Sequence, residues 1–307
     1  MNIRYLTYGE IDKQKWDTCI YHSVNSLIYA EAAYLDHLSP NWEALVLNDY
    51  EAVMPLTWKI KWGIRYLYQP AFFQQGGVFS AKKPSAKTIR AFIDEASKHF
   101  RFAECTVNYL NECLPEKGFQ FKLRNNYILY LGAGYTHISR QYNSYIKQRL
   151  NRLKKFSLQY QVSDDYGMAI KLYKKLYGDR MPSVSNKDYV QFEKLCKVLH
   201  NDKRLIVRKV MNSDGKELLA MALMLRDRRR IYNIISCILP AGKKLLANYF
   251  LFNEVIREFA SEKLVLDFEG SDIPGVAYFY KKFAASNQQY TFVKFNNLPM
   301  PIKLLKR

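Results

Sequence analysis

Two carboxylates and a tyrosine in the last part of the chain have the residue types and spacing needed for proton transfer. Asp267 and Glu269 lie two residues apart where a short apolar strand is predicted to break, and Ser271 follows them. A carboxylate at such a break is well placed to take a proton from an amine, directly or through water. We assign catalytic roles to Glu269 and Ser271 and a substrate-binding role to Asp267. Tyr280, on the helix predicted next, is a third catalytic candidate that would return a proton to a leaving group.

Each of these residues also has a structural interpretation. Asp267 and Glu269 can pair with neighbouring lysines or arginines. Tyr280 lies among Tyr278, Phe279 and Phe283, in a chain that contains 24 tyrosines, so a core position suits it as well. The residue pattern alone leaves both interpretations open.

A loop with one glycine precedes these residues. It reads Leu-Pro-Ala-Gly-Lys-Lys-Leu-Leu-Ala from residue 239 to residue 247. It opens a predicted helix, whose free N–H groups and positive dipole end attract anions. The glycine would let the backbone approach a pyrophosphate closely, and the two lysines add positive charge. The residues assigned to donor binding are Leu239, Ala241, Gly242, Lys243, Lys244 and Leu245.

A basic segment, Ser144–Phe156, lies in the middle of the chain. Apolar residues recur at helical spacing from Ile146 to Leu153, so we predict a helix with Ser144 as its cap. No acidic residue occurs between positions 140 and 163. The segment is either an inter-domain helix with a solvated face or a clamp for phosphates of a donor or acceptor. In the second interpretation the substrate-binding residues are Arg140, Lys147, Arg149 and Arg152.

The elements around these residues predict an α+β protein with an internal duplication. Helical periods, alternating strands, a helix and further strands follow one another in residues 1–142, and residues 143–307 repeat that order. The second part contains a hairpin signal, Asn212-Ser-Asp-Gly215, and a long amphipathic helix after the glycine loop. We expect two tandem domains with these bounds, each a mixed, mostly antiparallel sheet flanked by helices, with helix 144–156 linking them.

Composition narrows the classes of ligand and compartment. A length of 307 residues suffices for two domains with their own cores. The formal charge of +19 favours anionic partners, although a lysine-rich solvated surface explains it equally well. The 5 cysteines form no CxxC pair and the 5 histidines lack metal-ligand spacing, so we expect no disulfide framework, no metal and a cytoplasmic protein.

The start of the chain lacks the pattern of a signal peptide. No uncharged apolar run approaches the roughly 20 residues of a membrane helix. Peripheral contact with an anionic membrane stays open, and the sequence says nothing of oligomeric state.

The second half resembles the GNAT acyltransferase superfamily, in the branch that contains the FemAB-like peptidyltransferases and related acetyltransferases. Three segments carry the resemblance: Pro240-Ala-Gly-Lys-Lys-Leu245, Leu266-Asp-Phe-Glu-Gly-Ser271 and Ala277-Tyr-Phe-Tyr-Lys-Lys-Phe283. GNAT proteins hold the donor pyrophosphate on a glycine loop after the fourth strand, which residues 242–245 match. Many have a helix whose tyrosine serves as general acid, and Tyr280 matches it.

The resemblance also implies an activity. FemAB-like proteins are tandem GNAT-like domains that transfer amino acids from aminoacyl-tRNA to a peptidoglycan precursor, whereas their acetyltransferase relatives use acyl-CoA. It therefore implies an N-acyltransferase with acyl-CoA or aminoacyl-tRNA as donor, without a metal. The acceptor would be an amine on a cell-wall or other anionic precursor.

The sequence departs from the family pattern at two places. The loop has one glycine, Gly242, where GNAT loops usually have two small residues, and Ala284-Ala285 replaces the glycine that usually follows the tyrosine helix. The corresponding loop of the first half, Ser80–Ser85, has no glycine, so we expect only the second domain to hold donor. The alternative is a decayed GNAT-like pair that binds RNA or another anion without catalysis. An open gap between the strands on either side of the glycine-loop helix would favour donor binding.

Overall fold

Helices and strands alternate along the chain in two compact units. The computed structural model describes residues 2–269, 272–300 and 303. One unit comprises residues 1–124 together with 289–307, and the other comprises residues 125–288. Within the described residues the strands form three mostly antiparallel sheets flanked by helices, which confirms the predicted α+β class.

The first unit begins with an antiparallel sheet whose described strands have the order β1-β2-β3-β6. Its largest helix, α3, buries Ile89, Phe92, Ile93 and Ala96 along one face, as the helical period predicts. The elements up to residue 124 are β1 (Ile3–Leu6), α1 (Lys13–His22), α2 (Ala32–Leu38), β2 (Glu43–Leu47), β3 (Ala52–Leu56), β4 (Trp58–Lys61), β5 (Ile64–Leu67), β6 (Phe79–Ser80), α3 (Ala86–His99), β7 (Phe102–Val107) and β8 (Phe119–Arg124).

The second unit is built on a single twisted sheet that carries helices. Its elements are β9 (Tyr127–Tyr130), α4 (Tyr135–Arg140), α5 (Ser144–Leu153), β10 (Gln159–Ser163), α6 (Tyr166–Tyr177), α7 (Asn186–Asn201), β11 (Leu205–Met211), β12 (Leu218–Arg226), β13 (Arg230–Ile238), α8 (Pro240–Lys244), α9 (Ala247–Phe259), β14 (Val265–Asp267), α10 (Pro274–Lys281) and β15 (Ser286–Asn287). The described strand order is β10-β11-β12-β13-β14-β9-β15. Neighbours are antiparallel except β13 and β14, which are parallel.

The centre of this sheet is covered on both faces. Residues 219–225 of β12 are all buried, although successive side chains point to opposite faces. One large apolar cluster joins β9, β13 and β14 to α5, α9 and α10. Helix α6 packs on β13, where the Sγ of Cys237 lies 3.7 Å from the carbonyl oxygen of Ala169.

The last strand, β16 (Tyr290–Asn296), belongs to the first unit. It pairs antiparallel with β7 and β8, and the described sheet has the order β4-β5-β7-β16-β8. Conversely, β9 lies within the predicted first domain but pairs with β14 in the second unit. The observed division therefore differs from the predicted bounds at 142 and 143, because strand patterns show that a strand exists but not which sheet it joins.

Two local predictions differ from the structure, and one is confirmed. The helix after the glycine loop is interrupted at Leu246, which has a left-handed φ of 54° and separates α8 from α9. The cap of α5 is Asn143, whose side chain accepts from the N–H of Tyr145 at 2.7 Å, whereas Ser144 is the first helical residue. The predicted hairpin joins β11 and β12, with Gly215 at a φ of 74°.

In the described part of the chain, no helix is both long enough and apolar enough to cross a membrane. That part also contains no group of three or more His, Cys, Asp or Glu side chains placed to hold a metal ion.

Candidate functional site

The parallel strands β13 and β14 separate before β13 ends. Their pairing stops at Tyr232 and Asp267, whereas β13 continues to Ile238. From Asn233 onward, the edge of β13 has no β14 partner in the part of the chain that the structure describes. Two neighbouring strands that diverge in this way leave a gap whose walls carry free backbone donors and acceptors. Separation of the strands at this place is one element of the arrangement that favours donor binding.

A bulge lies in β13 where the gap begins. The register between β12 and β13 shifts so that Asn233 and Ile234 together oppose the single residue Met224. A bulge leaves a residue outside the regular ladder and re-aims neighbouring groups. The bulge therefore places Asn233 at the mouth of the gap.

Tyr280 of α10 reaches this point from the adjacent helix. Its side chain is buried, stacks on Phe268 at a ring distance of 4.5 Å, and hydrogen-bonds Asn233. Asn233 in turn accepts from the hydroxyl of Ser236 at 2.7 Å. Burial raises the pKa of Tyr280, and the nearby Glu269 raises it further. The phenol therefore stays protonated at neutral pH and is available as a proton donor.

Glu269 is the second titratable group at the gap. Its side chain is partly buried, and desolvation raises its pKa to about 8. Its backbone has a left-handed φ of 61°, a conformation that non-glycine residues seldom adopt. The N–H of Glu269 donates to Asp267 at 3.0 Å, which holds the turn. A carboxyl group whose pKa lies near neutrality can both take and return a proton.

Asp267 has a different environment from Glu269, although it lies only two residues away. It is fully buried, and one oxygen lies 2.9 Å from Nη1 of Arg230. That oxygen also accepts from the amide of Asn126 at 3.1 Å, while the other accepts the Glu269 N–H. Burial raises the pKa of Asp267, although the Arg230 guanidinium and the hydrogen bonds to the carboxylate act to lower it. These contacts fit the structural interpretation, a carboxylate paired with an arginine, and substrate binding by Asp267 stays a prediction.

Gly242 is required by packing. A Cβ at this position would lie 2.0 Å from the carbonyl oxygen of Leu219 in β12, so only glycine lets α8 sit this close to the sheet. The backbone N–H of Leu239 donates to the same oxygen at 3.0 Å. The side chains of Lys243 and Lys244 are exposed at the end of α8. The close approach inferred from the sequence is thus made by the protein's own backbone, and donor binding by residues 239–245 stays a prediction.

The four predicted cations lie on α4 and α5. Arg140, Lys147 and Arg152 are exposed, and Lys147 donates to the carbonyl of Arg140 at 2.6 Å. Arg149 is partly buried, with its guanidinium 4.7 Å from the ring centre of Tyr145. None of the contacts described for these residues involves the groups at the gap.

The structure thus brings Glu269 and Tyr280 together and adds two residues that the sequence analysis missed. Asn233 and Ser236 are polar positions in the otherwise apolar strand from Ile231 to Ile238. A polar residue inside a buried strand is a signal that sequence reasoning can use. Ser271, the third predicted catalytic residue, lies outside the described residues.

The chain is similar to known proteins in one sequence segment and in its fold. Residues 140–282 match the family described as acetyltransferase (GNAT) domain, and no curated protein sequence matches the chain. The crystal structure of FemX superposes with a TM-score of 0.66 at 13% identity, covering 100% of both chains. A tandem GNAT protein from the clavulanic acid biosynthesis pathway gives 0.53 at 9% identity, over 97% of this chain and 99% of that one. L-PGS from Bacillus licheniformis gives 0.52 at 11% identity, over 96% and 95%.

Identities this low establish a shared fold and nothing finer. The matched family segment contains β13, β14 and α10, and therefore every group described at the gap. Residues 140–282, in the second unit, thus match a GNAT-type acetyltransferase domain, and the chain as a whole shares the fold of FemX and of a tandem GNAT protein.

Proposed function

We propose that this protein is an N-acyltransferase that moves an acyl or aminoacyl group from an activated donor to an amine acceptor. The observation that carries the proposal is the gap beyond Asn233, with Glu269 and Tyr280 at its mouth. The donor is acyl-CoA or aminoacyl-tRNA, and the acceptor is an amine on a cell-wall or other anionic precursor. A donor of either kind is already activated, so no covalent enzyme intermediate is needed.

The reaction uses the two titratable groups in turn. The acceptor nitrogen attacks the carbonyl carbon of the thioester or ester, a C–N bond forms, and the carbonyl oxygen becomes negative. Glu269 takes the proton that the nitrogen loses. The C–S or C–O bond then breaks, and Tyr280 gives its proton to the leaving thiolate or alkoxide. Proton handling of this kind contributes roughly 10²–10⁴-fold in rate.

Stabilisation of the negative oxygen would come from β13. The strand continues for several residues beyond its last pair with β14, so backbone N–H groups on that edge face the gap. Donors fixed in advance by a sheet need no rearrangement when charge develops in the transition state. The bulge at Asn233 supports this role because it re-aims groups at the same place.

Residues around α8 would hold the anionic part of the donor. Lys243 and Lys244 are exposed cations at the end of this helix, beside Leu239, Ala241 and Leu245. Anionic groups of donor or acceptor would also meet the basic surface of α4 and α5, formed by Arg140, Lys147, Arg149 and Arg152. Both assignments rest on charge and exposure.

Two binding measurements on the full chain test the proposal in about 0.15 M salt. The first is a calorimetric and thermal-shift titration with acetyl-CoA, since a ligand specific for the folded state raises the melting temperature. The second is filter binding of charged tRNA. The loop variant is the double substitution Lys243→Gln and Lys244→Gln, because both side chains are exposed. Its matched control is Lys194→Gln with Lys197→Gln, two exposed lysines of α7.

The outcomes separate the donors. Stabilisation by acetyl-CoA that falls in the loop variant and persists in the control supports an acyl-CoA donor at α8. Tight tRNA binding without any response to acetyl-CoA supports aminoacyl transfer. If neither ligand binds, the proposal is overturned, and the alternative of a GNAT-like protein that binds anions without catalysis would lead.

A further inference from the structure

A second concave site lies in the second unit, between α4, α5 and α9. It is a groove of about 660 Å³, within the usual range of small-molecule sites. Its walls come from the end of α4, the outward side of α5 and the side of α9 that carries Phe250 and Arg257. None of its described lining residues is Asn233, Glu269 or Tyr280, so the groove is separate from the candidate site.

The hydroxyl of Tyr142 is the strongest sign that this groove holds a ligand. The Tyr142 side chain lines the groove and is only 3% exposed, yet its hydroxyl has no hydrogen-bond partner among the described residues. A buried hydroxyl without a partner is destabilising, and phenylalanine would avoid that cost. Burial raises the pKa of Tyr142, so the group is a hydrogen-bond donor at any physiological pH. A ligand atom with a lone pair would satisfy it.

Other polar groups beside Tyr142 are already engaged with one another. The hydroxyl of Tyr135 donates to Asn253 at 2.9 Å, and Arg257 pairs with Glu254 at 2.8 Å. The Arg257 charge therefore neutralises Glu254, the one carboxylate among the described lining residues. This network holds the wall of the groove without using the Tyr142 hydroxyl.

The lining of the groove also carries positive charge. Lys147 and Lys154 both line it and are exposed, and neither has an ion-pair partner in the described residues. Leu150, Leu153 and Phe250 add apolar side chains to the lining of the groove. A ligand that fits must therefore combine a compact anion with an apolar portion.

We propose that this groove binds a small phosphate monoester that bears an apolar group. The phosphate accepts from the Tyr142 hydroxyl, and Lys147 and Lys154 balance its charge. A phosphate monoester carries close to two negative charges at neutral pH and has three acceptor oxygens, which matches two unpaired ammonium groups and one unsatisfied donor. The apolar portion lies on Leu150, Leu153 and Phe250. The site goes beyond acyl transfer and does not depend on it.

The test is a calorimetric titration of the full chain with phenyl phosphate, beside the same titration of three variants. Tyr142→Phe removes one oxygen and keeps the ring in its packing, and about a tenfold or larger loss of affinity is expected because a hydrogen bond to a charged group is lost. Lys154→Gln removes a lining cation and should also weaken binding. Lys155→Gln is its matched control, since Lys155 is the next residue, is exposed and does not line the groove.

Unfolding of the free variants separates a ligand role from a structural one. Tyr142→Phe should melt at or above the temperature of the parent protein without ligand, and below it once both are saturated with phenyl phosphate at one concentration. Failure of phenyl phosphate to bind, or equal affinity for Tyr142→Phe and the parent, would overturn the proposal. Equal binding of phenylacetate would overturn the choice of phosphate, and equal binding of inorganic phosphate would overturn the apolar part.

A competition experiment distinguishes this site from the proposed donor site. Phenyl phosphate should still bind in the presence of acetyl-CoA, because the groove shares no described residue with the gap or with residues 239–245, and only Lys147 with the proposed basic surface of α4 and α5. Displacement by acetyl-CoA would overturn the separate site. If the Lys243→Gln, Lys244→Gln variant loses acetyl-CoA binding and still binds phenyl phosphate, the result supports two separate sites with the donor at α8.

Discussion

The paired end of β13 and β14 and the gap beyond it are adjacent, yet they hold their carboxylates in opposite ways. In the paired part, Asp267 faces Arg230 at 2.9 Å and both of its oxygens accept hydrogen bonds. At the gap, desolvation raises the pKa of Glu269 to about 8. The first arrangement gives the carboxylate a buried cation and further hydrogen-bond donors as partners, which suits a structural role. The second leaves two charge states close in free energy, which is what proton transfer needs.

The largest expected difference between the paired part and the gap is the loss of acyl-transfer rate in the variant Glu269→Gln. Glutamine keeps the size of the side chain and cannot take a proton, so the acyl-transfer rate constant should fall by roughly 10²–10⁴-fold. In the parent protein, activity should rise as pH increases and level off above about 8, because the active carboxylate form accumulates there. Steady-state kinetics from about pH 6 to pH 9 measures both, and the rise attributable to this group should vanish in the variant.

Stability provides the control for Glu269→Gln. The folded-state pKa of Glu269 is raised from 4.5 to about 8, so the folded state binds more protons than the unfolded state between these values. Its contribution is therefore most favourable below about pH 4.5 and is lost as pH rises towards 8. Glutamine does not titrate, so the melting temperature of the variant, compared with that of the parent protein at the same pH, should increase as pH rises. A variant that melts lower at every pH would show that Glu269 is structural.

Asp267→Ala should have the next largest effect, on folding. Removing one partner of a buried ion pair leaves the Arg230 charge buried without its carboxylate, which costs about 3–5 kcal/mol. Urea unfolding should show this loss, and Asp267→Asn should recover part of it because the amide still accepts a hydrogen bond. The structural assignment would be wrong if Asp267→Ala unfolded like the parent protein and raised only the KM for the acceptor.

The sequence predicted the strand, turn and helix of this site better than the contacts that their side chains make. The apolar run before Asp267, the turn after it and the tyrosine helix follow from local patterns, and Glu269 and Tyr280 do lie together. What local patterns do not contain is the partner across the sheet. Arg230 reaches Asp267 only because β13 and β14 are parallel neighbours, and that pairing joins residues 37 positions apart. The same limit applies to Asn233, whose position at the gap depends on where that pairing stops.

The fold shows the same division between local and distant information. Helix α3, the hairpin between β11 and β12, and the α+β class follow from periodicity and turn residues. The pairing of β9 with β14 and of β16 with β7 does not follow from them. Both β9 and β16 look like ordinary strands in the sequence, and each pairs with a strand that is distant along the chain. The interruption at Leu246 is also invisible, because leucine in a left-handed conformation contradicts its local preference and is imposed by packing.

The smallest of the three mutational effects is expected at Gly242. The sequence indicated that this position needs a glycine for donor binding, whereas in the structure the glycine is needed for packing against β12. At an exposed helical position, replacing glycine by alanine stabilises by up to about 1 kcal/mol. At position 242 the added methyl group would meet the Leu219 carbonyl at 2.0 Å, so Gly242→Ala should destabilise by about 1–3 kcal/mol.

Gly275→Ala is the matched control, since that glycine lies in α10 and an added Cβ would have nothing within 4 Å. The two variants should therefore shift the melting temperature in opposite directions. If Gly242 serves packing alone, the destabilised Gly242→Ala protein should still bind acetyl-CoA at temperatures where it is folded, whereas the Lys243→Gln, Lys244→Gln protein should be stable and bind weakly. Loss of acetyl-CoA binding in folded Gly242→Ala would return this glycine to the donor site, because its backbone would then be needed close to the pyrophosphate.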